Sequence, residues 1–228
     1  MIIVGHRGAG VLEPENTLLA FRRGIEMGMD YVECDVHLTH DARLIVMHDA
    51  LVDRTTNGTG PIAEKTFAEM RALDAGQARQ VPTLEEVLET VRGRVQLLLE
   101  LKGPATAAPA VETVKRLGVQ EQVVFTCFDL DRLAEVRRID GSLRMGAIFG
   151  SPLPDMMQTA KELGAEGVGL QYRHMSLRHV ADAHEHGLII RAWNPDTEWE
   201  MRAMAALRVD GISSNRPDLL LRVFRGAE

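Results

Sequence analysis

Eight runs of apolar and β-branched residues recur along the chain with helix-like segments between them, and this alternation limits the folds it can adopt. The runs are IIVGH (2–6), YVECDV (31–36), VQLLLEL (95–101), VVFTCF (123–128), LRMGAIF (143–149), EGVGLQ (166–171), LIIRAW (188–193) and DGISS (210–214). Between them lie TLLAFRRGIEMG, TLEEVLETVRG, AVETVKRLG, LDRLAEVRRID and SLRHVADAHEHG, with apolar residues at helical spacing and, in several, a closing glycine. Parallel strands covered on both faces read as near-continuous apolar runs. Eight strand–helix units in 228 residues fit a closed parallel barrel better than an open sheet. The expected fold is α/β, a (β/α)8 TIM barrel forming one domain over 1–228.

A ninth run, LIVMHD (44–49), breaks the count. The link THDAR (39–43) is too short for a parallel crossover and suits a hairpin. A turn centred near Asp41 brings His48 back opposite Cys34. Residues 49–82 are rich in Gly, Thr and Pro, with one helix-like piece around KTFAEMRAL. They are expected to form a small insertion or lid after this hairpin.

Barrel enzymes work at the C-terminal ends of their strands, and there the chain places His6, Glu33, Asp35, Glu100 and Lys102. Glu33 and Asp35 are two apart on a strand, so both side chains share one face and Cys34 points the other way. Two such carboxylates repel unless something positive lies between them. With Glu100 as a third, and no H-x-H or cysteine pair beside them, they suit an oxygen-seeking cation, Mg²⁺ or Ca²⁺, rather than zinc; ion pairing to Arg7 and Lys102 is the alternative. His6 and His48, with ordinary pKa values near neutrality, can divide acid and base work. Arg7 and Lys102 suit an anion. Asn16 or Thr17 caps the first barrel helix, with Glu15 just before it near the mouth. The glycines Gly5, Gly8 and Gly10 run G-x-x-G-x-G, which is not the dinucleotide fingerprint.

A net charge of −7 disfavours nucleic acid or an anionic membrane as partner and favours a small soluble substrate. No run approaches the ~18 apolar residues of a membrane span. The first strand is expected to start at Ile2, leaving no room for a signal peptide unless processing has already removed it, and Cys34 and Cys127 match no zinc or disulfide pattern. A cytoplasmic setting is expected.

Taken in order, HRG with PENT, ECDV, VMHD followed by DRTTNGTG, VPTLEEVL, ELK, a Trp-Asn pair and DGISSNRPD resemble the bacterial glycerophosphodiester phosphodiesterases over nearly the whole chain. The resemblance implies a (β/α)8 barrel with an insertion after the second histidine. It also implies a divalent metal on Glu33, Asp35 and Glu100, and His6 and His48 as the acid–base pair. Phosphate would be held by Arg7 and Lys102, with Glu15 near the metal and glycerol and Trp193 lining the substrate pocket. The implied reaction is metal-dependent hydrolysis of glycerophosphodiesters to glycerol 3-phosphate and an alcohol. Two departures bear on the head group: AWNPDT stands where the family often has W-T-V-N, and Thr126 and Cys127 stand where many members carry serines. Rival readings are a lysophospholipase D-type enzyme, with Leu51, Phe67 and Met70 as a lipid-facing rim, and a catalytically silent barrel that binds phosphodiesters.

Overall fold

The computed structural model describes residues 1–226. Eight parallel strands form the barrel: β1 (Ile2–Gly5), β2 (Tyr31–Leu38), β4 (Gln96–Leu101), β5 (Val123–Cys127), β6 (Arg144–Phe149), β7 (Gly167–Gln171), β8 (Ile189–Trp193) and β9 (Gly211–Ser214). They neighbour one another in chain order, and β1 pairs with both β9 and β2, which closes the ring. The remaining strand, β3 (Leu44–Val46), returns antiparallel along β2. Its register pairs Val36 with Val46, His37 with Ile45 and Leu38 with Leu44, so the hairpin is centred on Asp41, as its short link requires.

Helices α1 (Leu18–Glu26), α3 (Leu84–Val91), α4 (Ala107–Leu117), α5 (Leu130–Ile139), α6 (Met156–Glu162), α7 (Leu177–Glu185), α8 (Glu198–Ala206) and α9 (Pro217–Arg225) follow the strands, while α2 (Phe67–Ala72) belongs to the insertion. Side-chain oxygens set several of their starts. Thr17 accepts from the Ala20 amide, and Thr83 and Thr197 form capping boxes with Glu86 and Glu200. Asn16 does not cap, and its amide turns instead to Asp35.

Phe21, Cys34, Leu99, Phe125 and Leu133 are buried between the strands and the helices. Burying each large apolar side chain there contributes about 1.5–3 kcal/mol. Inside the barrel Val4, Leu98 and Val124 form a plug with Ile2 and Tyr31 against them, so the lower half is filled and the site opens above it. The insertion has its own small core of Ile45, Met47, Val52, Ile62, Met70 and Val81, with Phe67 packed on it. Two of the three residues suggested as a lipid-facing rim are therefore packing residues: Met70 is fully buried, Phe67 lies against this core, and only Leu51, at 51%, is well exposed.

The turn after β1 is shaped by close backbone approach. Gly8 has φ +84°, and a Cβ there would lie 2.6 Å from the Ala20 carbonyl carbon; one on Gly5 would lie 2.2 Å from the Gly8 oxygen. The loop carrying His6 and Arg7 is thus pressed onto the start of α1. Gly8→Ala should lower stability by more than about 1 kcal/mol in chemical denaturation, whereas Gly150→Ala, with open space around it, should stay within about 0.5 kcal/mol of wild type.

Candidate active site

Strand alternation aims Glu33 and Asp35 from β2 and Glu100 from β4 into the barrel mouth, where all three are buried. One carboxylate oxygen from each lies within 4.8 Å of the others. Glu33 Oε2 accepts from the Arg7 amide at 2.9 Å, and Asp35 Oδ2 from the Asn16 side chain at 2.9 Å. Lys102 Nζ lies 2.8 Å from Glu100 and 3.8 Å from Asp35, while Arg7 Nε lies 3.8 Å from Asp35. Glu33 Oε1 and Asp35 Oδ1 remain buried with no hydrogen-bond partner.

Burial, and then Asp35, push the Glu100 carboxyl up to about 7, and burial followed by Asp35 and Glu100 pushes Glu33 well above the usual carboxylate range. Burial alone would lower Lys102, but Glu100 and Asp35 hold its ammonium above the ordinary value. Two cations therefore do not fully compensate three carboxylates. Oxygens converging from three acids, two of them without partners and with no sulfur or imidazole in the set, suit a divalent cation.

His6 follows β1, and its Nδ1 lies 2.7 Å from Asn215 Oδ1. Asn215 Nδ2 donates to Asp196 at 2.7 Å, which fixes the amide so that its oxygen faces the ring. Nδ1 thus carries the proton and Nε2 is left as the basic nitrogen, 3.7 Å from Glu33. Burial, then Arg7, lowers the imidazole pKa to about 4. His48, beyond the end of β3, has a different setting. Its Nδ1 lies 2.6 Å from Asp49, and Arg54 of the insertion clamps that carboxylate at 2.7 Å and holds it below the usual range. Arg54 also grips both oxygens of Glu15, and Glu15 in turn accepts from Arg7 at 2.8 Å. Arg7, Glu15, Arg54, Asp49 and His48 form one chain of ion pairs from β1 to the insertion.

A cavity of about 230 Å³ opens beside these groups, lined by His6, Arg7, Glu33, His48, Glu100, Lys102 and Trp193 among others. Trp193 stands edge-on to Phe128 with ring centroids 5.6 Å apart, and its Nε1 is buried without a partner. Eight of the nine residues singled out from sequence thus meet around one space, with Asp35 buried just behind the lining. Glu15 does not line it and lies behind Arg7 as a counter-ion. Sequence reasoning passed over Asp49, Arg54, Asp196 and Asn215. Their contacts with the site span up to 209 positions, and only the strings VMHD, DRTT, AWNPDT and DGISSNRPD that contain them could have flagged them. His184 and His186 pair with Asp210 and Asp182 on a helix end, away from the site.

Glu100 carries a value of about 7 in the fold against an ordinary 4.5, so the folded protein holds this proton more tightly than the unfolded chain. Its stability without metal should therefore rise as pH falls from 8 towards 5.5. Mg²⁺ or Ca²⁺ should raise Tm in thermal unfolding after chelation, and by more at pH 8 than at pH 6. A gain that is absent or independent of pH contradicts the proposed cation site.

The model of the glycerophosphoryl diester phosphodiesterase family matches residues 6–219. A glycerophosphodiester phosphodiesterase of Caldanaerobacter subterraneus subsp. tengcongensis is 31% identical over 237 residues, covering 98% of each chain. A probable glycerophosphodiester phosphodiesterase of Mycobacterium tuberculosis is 45% identical over 248 residues, covering 94% of this chain and 89% of its own. A phosphodiesterase of Oleispira antarctica, solved in complex with the product sn-glycerol-3-phosphate, superposes with a TM-score of 0.94 at 25% identity, covering 99% and 97% of the two chains.

Proposed function

The chain belongs to the glycerophosphoryl diester phosphodiesterase family and is a phosphoric diester hydrolase, and we propose that it cleaves glycerophosphodiesters to glycerol 3-phosphate and an alcohol by metal-dependent catalysis shared between two histidines. The observation that carries this reading is the buried acid trio, with two orphaned oxygens, flanked by two differently oriented imidazoles on one cavity. The product held by the Oleispira relative supports the choice of glycerol 3-phosphate.

Glu33, Asp35 and Glu100 would hold Mg²⁺ or Ca²⁺. When bound, such a cation lowers the pKa of an adjacent hydroxyl and offsets phosphate charge. His6 Nε2, unprotonated because Asn215 occupies the Nδ1 side, takes the proton of the glyceryl hydroxyl beside the phosphoester. That oxygen attacks phosphorus, and the Arg7 and Lys102 cations stabilise the charge that grows on the phosphoryl oxygens. His48, whose Nδ1 side is held by the Asp49 carboxylate, then protonates the departing alcohol oxygen. In the second half the roles reverse: His48 takes a proton from water as it opens the cyclic phosphate, and His6 returns its proton to the glyceryl oxygen. Trp193 and Phe128 shape the wall on which the diester lies.

The lysophospholipid alternative has little support, since Leu51 alone of its suggested rim is well exposed. No helix among the described residues is long and apolar enough to cross a membrane. A silent binding barrel would need neither histidine, yet each has a dedicated hydrogen-bond partner.

His6→Ala and His48→Ala should each lower turnover of glycerophosphocholine by roughly 10²–10⁴-fold while leaving calorimetric Mg²⁺ binding intact. Near wild-type turnover in either variant contradicts the assignment. Arg54→Met should lower kcat by about 10-fold or more through loss of a charged hydrogen bond to Asp49, and an unchanged kcat would show that the clamp does not matter to catalysis.

A further inference from the structure

One cation in the barrel is left over by this reaction. Arg191 sits on β8 between Gly169 of β7 and Gly211 of β9 in the strand register, facing the barrel interior. Its side chain runs along the inner wall, past β7 to β6: a Cβ on Gly211 would lie 2.9 Å from its Cγ, and one on Gly146 of β6 would lie 3.5 Å from its Nη2. Bare glycines on two strands thus make room for one long side chain. Arg191 lines the main cavity and also a small void beneath it, which abuts Leu98 and Val124 of the apolar plug. It forms part of the floor of the site.

Among the described residues nothing accepts a hydrogen bond from its guanidinium. The negative and polar groups that act on it through space are Tyr31, Glu166 and Glu33, and each is already engaged. Arg144 holds both oxygens of Glu166, at 2.9 and 3.0 Å, and donates to the Tyr31 hydroxyl at 3.2 Å. Glu33 accepts from the Arg7 amide. Burial pushes the Arg191 guanidinium below its ordinary value, the expected effect on a partly buried cation that faces the cavity without a counter-ion. Guanidinium is a donor-only fork, and the acceptors it lacks must come from what enters the cavity.

The two histidines indicate which end of a diester reaches this floor. The His6 side chain is 14% exposed and that of His48 30%, so the proton-abstracting side of the site is the inner one and the leaving alcohol departs on the outer. The glyceryl unit, whose hydroxyl His6 deprotonates, therefore points inward. The hydroxyl-bearing residues Thr126 and Ser213 line the same cavity.

We propose that Arg191 binds the terminal group of the three-carbon unit, donating to a hydroxyl oxygen there in a glycerophosphodiester and holding a carboxylate at the same carbon more tightly. This rests on the phosphodiesterase reading above and adds to it a residue that selects the substrate by its far end. An acceptor-rich terminus is selected and an apolar or cationic one rejected, because only the former satisfies the unpartnered fork.

The test is calorimetric titration of the Mg²⁺-loaded protein with three phosphates that differ at one carbon: glycerol 3-phosphate, 2-hydroxypropyl phosphate and 3-phosphoglycerate. Wild type should bind glycerol 3-phosphate about 10-fold more tightly than 2-hydroxypropyl phosphate, and 3-phosphoglycerate about 10-fold more tightly again, as charge-assisted hydrogen bonds allow. In Arg191→Met the three dissociation constants should converge to within about 3-fold, and Arg191→Lys should retain part of the carboxylate preference. The wild-type series needs no variant: equal binding of all three overturns the role of Arg191, as does an undiminished carboxylate preference in Arg191→Met. Failure of wild type to bind any of the three would instead overturn the phosphate site itself.

Discussion

Three carboxylates buried together at the mouth of a barrel are the constraint to which the rest of the site answers. Side by side with Asp35 and out of water, Glu33 and Glu100 hold their protons above the ordinary carboxylate range, and Glu100 stands at about 7. The fold surrounds them with partial compensation: the Arg7 amide, the Asn16 side chain, the Lys102 ammonium and the Arg7 guanidinium. Two oxygens are still left without partners. The same arrangement explains why Asn16 gives up helix capping to Thr17 and why the glycine-bent loop is pressed tightly onto α1. A divalent cation would complete a balance that the side chains approach and do not reach.

Around this cluster the two imidazoles are chemically alike and differ in what holds them. A neutral amide, itself fixed by Asp196, faces the inner ring and leaves Nε2 free to accept a proton. A carboxylate clamped by Arg54 faces the outer ring at its Nδ1. In the proposed reaction base and acid are thus distinguished by hydrogen-bond partners and not by residue type. The insertion has a part in this, because Arg54 is its contribution to the outer histidine and, through Glu15, to Arg7.

Much of this was legible in the sequence because it follows from local periodicity. Alternation along YVECDV placed Glu33 and Asp35 together and Cys34 behind them, and the short THDAR link fixed a hairpin whose observed register is centred where expected. The eight barrel strands fall on the eight apolar runs. What was not legible is non-local. Asn215 lies 209 positions from His6, and Arg54 lies 39 from Glu15, so neither contact leaves a mark on neighbouring residues. Glu15, expected near the substrate, pairs with Arg7 and Arg54, a contact that no local pattern announces. Phe67 and Met70 could be read as a rim or as a core, and only the packing of the insertion decides it. Arg191 looked like one residue of an apolar strand until its empty surroundings were seen.

The measurement that bears most directly on this account is turnover of glycerophosphocholine by exhaustively chelated protein as Mg²⁺ or Ca²⁺ is titrated back. The acid trio as a cation site predicts no glycerol 3-phosphate release without metal and full recovery as one cation binds per chain, with Asp35→Asn abolishing both binding and recovery. Full turnover in the chelated protein would contradict it.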